Sequence, residues 1–133
     1  MRGMKLAALY LVTSVATAFH VFYQMMWTIW GAPINPLHYV SMIGSAILLV
    51  SSAIALFRSH VAAKVGTVGI IAAWCFYGPA LVYSYFDSGF WNGLWSAFSN
   101  GQYVPALGAI ISPLLLTACT VYTWYFLKGP SVS

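Results

Sequence analysis

Acidic side chains are almost absent from this sequence: charged residues make up 5% of its 133 positions, and Asp87 is the one carboxylate among them. A lone carboxylate cannot supply the paired acid and base groups that ordinary hydrolytic catalysis uses. The sequence also lacks a Ser/His/Asp arrangement, a phosphate-binding glycine loop and the Rossmann glycine pattern. These absences predict that the chain has no catalytic residue of its own and is not an enzyme.

Cysteine is also scarce, since Cys75 and Cys119 are the only two in the sequence. Both fall inside apolar runs, form no CxxC pair and have no neighbouring histidine at metal-ligand spacing. We therefore predict no metal site and no reactive thiol, and we expect both side chains to be small buried hydrophobes. The basic residues are scattered rather than clustered, which argues against a nucleic-acid partner.

Apolar surface is what the sequence has in abundance: 62% of its residues are hydrophobic and 17% are aromatic. A soluble domain of this size could not bury so much in one core, so the composition predicts an all-α integral membrane protein. A helix needs about 20 apolar residues to cross a bilayer. Four segments meet that length and predict a single antiparallel transmembrane bundle over residues 1–133, with spans at approximately 4–30, 38–57, 61–86 and 104–127.

The basic residues predict the orientation of these spans. All five lie where a four-span chain would hold them on one side of the membrane: Arg2, Lys5, Arg58, Lys64 and Lys128. The opposite side holds Asp87 and no Lys or Arg. By the positive-inside rule both termini should lie in the cytoplasm, and we expect the membrane to be the inner membrane of a bacterium.

The start of the chain also resembles a secretory signal peptide, because a basic start and an apolar run precede an Ala-Thr-Ala triplet at positions 16–18. The apolar core of a signal peptide is about 7–15 residues long. Here the apolar run continues past Ala18 to Trp30, which makes a full span. We therefore expect the segment to be retained as span one.

A polar stripe runs along span one. Thr13, Thr17, His20 and Gln24 recur at offsets of four, seven and eleven residues, which places them on one face of a helix. Tyr10 extends the stripe toward the start of the chain. Polar side chains that face lipid would leave donors and acceptors unpaired, so this face should be turned toward other helices or a water-filled cavity.

Three interpretations of His20 and Gln24 remain open. They can hydrogen-bond to hydroxyl groups on neighbouring spans, for which the candidates are Tyr77, Ser84, Ser112, Thr117 and Thr120. His20 can instead be an axial ligand of a haem or a chlorophyll-type pigment, or it can serve a quinone or proton site. The other histidines, His38 and His60, lie at the ends of spans, which disfavours an internal haem with two histidine ligands.

The predicted outer loop between spans three and four has a pattern of its own. Phe90, Trp91, Trp95 and Phe98 recur at helical spacing and alternate with small polar residues. The pattern predicts a short amphipathic helix in the outer interface, with its aromatic rings at the depth of the lipid headgroups. This helix can be an aromatic anchor, a lid over a lateral opening or a docking surface for another subunit.

Taken together, these features predict a small non-catalytic accessory or structural subunit of a larger membrane complex. We expect an energy-converting complex of respiratory or photosynthetic electron transport. Its partners would be the lipid bilayer and other integral membrane subunits or further copies of the chain. Two alternatives remain: a redox protein that binds haem, a pigment or a quinone through His20, and a small carrier for an apolar or aromatic solute.

Overall fold

The computed structural model describes residues 2–28, 36–85, 88–101 and 103–128, with side-chain detail for residues 3–23, 25, 36–79, 91–101, 103 and 107–128. The described residues form five helices and contain no strand: α1 (Arg2–Thr28), α2 (Pro36–Ala55), α3 (Ser59–Tyr85), α4 (Ser88–Ser99) and α5 (Tyr103–Lys128). All but α4 are long enough to cross a membrane.

Four apolar stretches of these helices could span a bilayer, namely Gly3–Tyr23, Pro36–Ala55, Ser59–Pro79 and Leu107–Lys128. The prediction of an all-helical chain is therefore confirmed for the described residues, and four of their helices are long and apolar enough to cross a membrane. The second helix starts two residues earlier than the predicted span, because the helix begins directly at a proline. Proline is favoured at the first position of a helix, where its missing N–H group has no partner to lose.

The interior of the described structure holds small polar side chains beside apolar ones such as Leu6 and Leu48, and many other large apolar side chains face outward. Ten polar residues are buried among those whose side chains the structure describes: Thr13, Ser14, Thr17, His20, Ser41, Ser45, Ser51, Ser52, Ser112 and Thr123. Large hydrophobic residues such as Phe19, Leu49 and Leu114 are exposed on the outer surface. In water this distribution would be unfavourable, but in lipid it keeps polar groups with their partners and apolar groups in hydrocarbon.

Among the first three helices, neighbours in the chain are antiparallel. Ser52 on α2 donates a hydrogen bond to the Ala7 carbonyl on α1 at 2.7 Å, and the Ser14 hydroxyl on α1 donates to the Ser45 carbonyl at 2.6 Å. Because residue numbers rise on α1 while they fall on α2, the two helices are antiparallel. A turn at residues 56–58 then joins α2 to α3, and these two helices form a hairpin.

A pair of glycines sets how closely this hairpin packs. A Cβ atom added at Gly44 would lie 2.7 Å from the Gly69 carbonyl oxygen, and one added at Gly69 would lie 2.9 Å from the Gly44 carbonyl oxygen. The two backbones therefore touch at a point where no larger side chain fits. Close contact between small residues is the usual way in which helices associate in lipid.

The positive charges collect at one end of the molecule. Gly3 at the start of α1 lies against Ala55 and Ser59, and His60 at the start of α3 is 6.4 Å from the Phe126 ring near the end of α5. This end, which we call the basic end, therefore carries the four described basic side chains, namely Lys5, Arg58, Lys64 and Lys128. The other end of the bundle leads into α4, which contacts α3 and α5.

Candidate functional site

The polar stripe of α1 lies in the interior of the structure. Thr13, Thr17 and His20 are all buried, with 3% of the His20 surface exposed. Tyr10, which extends the stripe, is also buried. The described part of the polar stripe therefore faces the interior, as the sequence predicts. The Gln24 side chain lies outside the described residues.

His20 is hydrogen-bonded to a tyrosine on another helix. Its Nδ1 atom lies 2.7 Å from the hydroxyl of Tyr77 on α3, and the two rings stack with centroids 5.7 Å apart. Either the tyrosine hydroxyl donates to Nδ1 or a protonated Nδ1 donates to the hydroxyl. Tyr77 is one of the five hydroxyl partners that the sequence suggests. Ser112 on α5, another of those five, donates a hydrogen bond to the Ala16 carbonyl on α1 at 3.4 Å.

The His20 ring packs directly on the backbone of α5. A Cβ atom added at Gly108 would lie 2.5 Å from Cδ2 of His20 and 2.8 Å from its Cγ atom. Real Cβ atoms do not approach other atoms so closely, so glycine is what allows the imidazole to sit there. We call His20, Tyr77 and Gly108 the His20 clamp, because they join α1 to both α3 and α5.

A second clamp lies nearer the basic end and consists of Tyr10 on α1, Gly66 on α3 and Thr123 on α5. The Tyr10 hydroxyl lies 2.5 Å from the Thr123 hydroxyl on α5. Its ring packs on α3, because a Cβ atom added at Gly66 would lie 2.5 Å from Cε2 of Tyr10. In this Tyr10 clamp the glycine is on α3 and the hydrogen-bond partner is on α5, whereas the His20 clamp has the opposite arrangement.

Shorter polar side chains fill the stripe between the two clamps. The Thr13 hydroxyl lies 2.9 Å from the Cys119 sulfur on α5, and the Thr17 hydroxyl lies 2.7 Å from the Ser45 hydroxyl on α2. Cys119 is buried as predicted, but Cys75 is exposed on the surface of α3, so the prediction of two buried cysteines is wrong for that residue. Apolar spans expose many residues to lipid, and the sequence gives no sign of which ones.

A shallow groove of about 290 Å³ reaches the edge of His20 between α1 and α5. Phe19, Leu107 and Ile111 form its apolar walls. A haem or pigment ligand usually gives one imidazole nitrogen to the metal and the other to a hydrogen-bond partner, and Tyr77 already holds Nδ1 in this way. Because His20 is nearly enclosed, α1 and α5 would have to separate for a macrocycle to reach it. Among the described residues no group of three or more His, Cys, Asp or Glu side chains could hold a metal ion.

The short helix α4 presents aromatic side chains outward. Trp95 is 75% exposed and Trp91 is 47% exposed, whereas Phe98 is partly buried and its ring lies 6.4 Å from that of Tyr103. The Phe90 side chain lies outside the described residues. The predicted aromatic set therefore divides into two tryptophans that face outward and a phenylalanine that packs toward α5.

No protein-family model matches the chain, and no curated protein or solved structure is significantly similar to it. No activity, ligand or partner is therefore transferred from another protein. The functional interpretation depends on what the described side chains contact and on what they leave exposed.

The hydrogen bond between His20 and Tyr77 predicts a measurable coupling between the two side chains. We expect a double-mutant cycle of His20→Phe and Tyr77→Phe to give a coupling energy of about 0.6 to 1.7 kcal/mol, the range found for hydrogen bonds between membrane helices. The free energy of unfolding would be measured by denaturation in mixed micelles.

The exposed neighbour Phe19 provides the control for this cycle. Phe19→Leu combined with Tyr77→Phe should give additive changes in the free energy of unfolding, because the Phe19 side chain is mostly exposed and has no group that could hydrogen-bond to the Tyr77 hydroxyl. A His20–Tyr77 coupling no larger than that of the control pair would show that the hydrogen bond does not stabilise the fold.

Proposed function

We propose that this chain is a small non-catalytic subunit of a larger integral membrane assembly. One observation carries the proposal: the polar face of α1 is used to join the helices of the chain itself. Tyr10, Thr13, Thr17 and His20 each hydrogen-bond to a side chain on another helix. Side chains that would otherwise be candidates for chemistry are thus part of the packing, and an apolar exterior is left for contact with lipid and other helices.

The position of the charges supports an orientation for this subunit. Positive charge lies on the cytoplasmic side of most membrane proteins, and the basic end carries the charged side chains of α1, α3 and α5 together. We therefore propose that the chain lies in the inner membrane of a bacterium and that the basic end, with both termini, faces the cytoplasm. The helix α4 then lies on the opposite, outer side.

The exposed tryptophans of α4 support an interfacial role for that helix. Tryptophan is enriched where membrane meets water, because its ring is apolar and its N–H group prefers a polar neighbour. Trp95 at 75% exposure is suited to the headgroup region or to a pocket on a partner subunit. In this proposal the interface residues are Trp91 and Trp95, with Phe98 supporting them from the inner face of α4.

A redox protein that binds haem, a chlorophyll-type pigment or a quinone at His20 is the second candidate. The groove beside His20 favours it, because its apolar walls lead to the imidazole edge, although α1 and α5 would have to separate for a macrocycle to reach the ring. Membership of an energy-converting complex stays a prediction of the sequence. The carrier interpretation gains no support from the described residues, whose buried polar groups pack against one another.

The function is tested by extracting the chain from its native membrane in a mild detergent. Mass spectrometry of the chains that copurify and a visible absorption spectrum would be recorded on the same sample. The proposal predicts partner chains at constant stoichiometry. A colourless chain recovered without partners contradicts it, and an absorption band that His20→Phe removes would favour the second candidate.

The orientation is tested by cysteine labelling in a Cys75→Ser background, where the remaining native cysteine, Cys119, is buried. A cysteine at the exposed position Ser96 on α4 should react with a membrane-impermeant maleimide in intact cells. Phe57→Cys, at a side chain that is 85% exposed in the turn between α2 and α3, should react only after the membrane is permeabilised. The opposite labelling pattern would place the basic end outside.

A further inference from the structure

A second groove, of about 520 Å³, lies between α3 and α5 in the half of the bundle that leads to the basic end. Thr67, Ile71 and Trp74 line it on α3, and Trp124 and Leu127 line it on α5. Its walls are mainly aliphatic and aromatic, so it suits a hydrocarbon chain.

The length of this groove matches one leaflet of a bilayer. Trp74 donates a hydrogen bond to the Thr120 hydroxyl at 2.9 Å and so bridges the groove at its deep end. Lys128 lines the other end. Lys128 lies eight residues after Thr120, a rise of about 12 Å along α5, which is close to the roughly 15 Å of hydrocarbon in one leaflet. The groove therefore runs from near the middle of the membrane to its basic surface.

Two lysines stand at the mouth of the groove. Lys128 lines it directly, and its ammonium group lies 5.7 Å from the centre of the Trp124 ring. Lys64 is exposed on α3 and precedes Thr67 and Ile71 by three and seven residues, so it continues the groove-lining face of that helix. No acidic side chain occurs in the parts of the chain that the structure describes, so both charges are available to an anion.

We propose that this groove binds an anionic phospholipid of the cytoplasmic leaflet. One acyl chain lies along the groove between α3 and α5, and the phosphate group sits between Lys64 and Lys128. The charge of the mouth selects the lipid, because an acyl chain alone would not distinguish anionic from zwitterionic lipids. The proposal uses the orientation given above, but it does not require that the chain is a subunit of a complex.

The lipid preference is tested on the full-length protein after removal of bound lipid. Native mass spectrometry would follow titration with phosphatidylglycerol or with phosphatidylcholine that carries identical acyl chains. A lysine near an anionic headgroup contributes roughly fivefold in affinity, so Lys64→Gln combined with Lys128→Gln should weaken phosphatidylglycerol binding about 25-fold. Phosphatidylcholine binding should change much less, because the choline cation offsets the charge of its phosphate.

Two control variants separate the groove from the rest of the surface. Lys5→Gln combined with Arg58→Gln removes the same charge from the basic end but leaves the mouth of the groove intact, so it should not change the lipid preference. Thr67→Phe fills the groove and should weaken both lipids, whereas Val68→Phe adds the same ring at an exposed neighbouring position and should weaken neither.

Three outcomes would overturn the proposal. Equal affinity of the unaltered protein for both lipids would show that the lysines do not select the headgroup. An equal loss in both charge variants would show that the whole basic end attracts lipid without a defined site. The groove variants could instead leave lipid binding intact and change self-association or the recovery of partner chains. The groove would then be a protein interface, and the proposed subunit function would stand.

Discussion

A hydrogen-bonding group that has no partner in hydrocarbon is costly, and this constraint determines how the helices are arranged. The helix α1 carries hydroxyl and imidazole groups along one whole face, so that face has to be enclosed by other helices. The structure encloses it with α2, α3 and α5, each of which supplies at least one partner: Ser45, Tyr77 and Thr123. The remaining faces of the four long helices are then free to be apolar, which is what contact with lipid requires.

The two clamps also accommodate tyrosine and histidine rings, which are too large to fit between closely packed helices unless a small residue faces them. Gly66 and Gly108 provide the space, and because they lie on different helices, α1 is held against both. His20 is hydrogen-bonded and nearly enclosed, whereas the outer surface exposes the tryptophans of α4 and the groove between α3 and α5 that ends at Lys128. The proposed function therefore assigns contacts with other molecules to the outer surface.

The length of the apolar segments predicts the four long helices, and residue spacing predicts the inward direction of the α1 stripe, because each depends only on the residues of one segment. The choice of Tyr77 among several hydroxyl candidates for His20 depends on the rotation of α3, which no pattern within a span reveals. For the same reason the sequence does not show that the Tyr10 ring packs against Gly66. Cys75 illustrates the same limit, since an apolar run does not show which of its residues face lipid.

The most direct test of this account is the free energy of unfolding, measured in detergent, of variants at the two clamp glycines. Gly66→Ala and Gly108→Ala should each lower the free energy of unfolding by about 1 to 3 kcal/mol, the usual cost of adding atoms to a packed interior. Gly78→Ala is the matched control on α3, because a Cβ atom there meets nothing within 4 Å, and it should leave the free energy of unfolding unchanged or raise it by up to about 1 kcal/mol, since alanine favours a helix over glycine. Clamp variants as stable as this control would contradict the claim that the polar face of α1 holds the helices together.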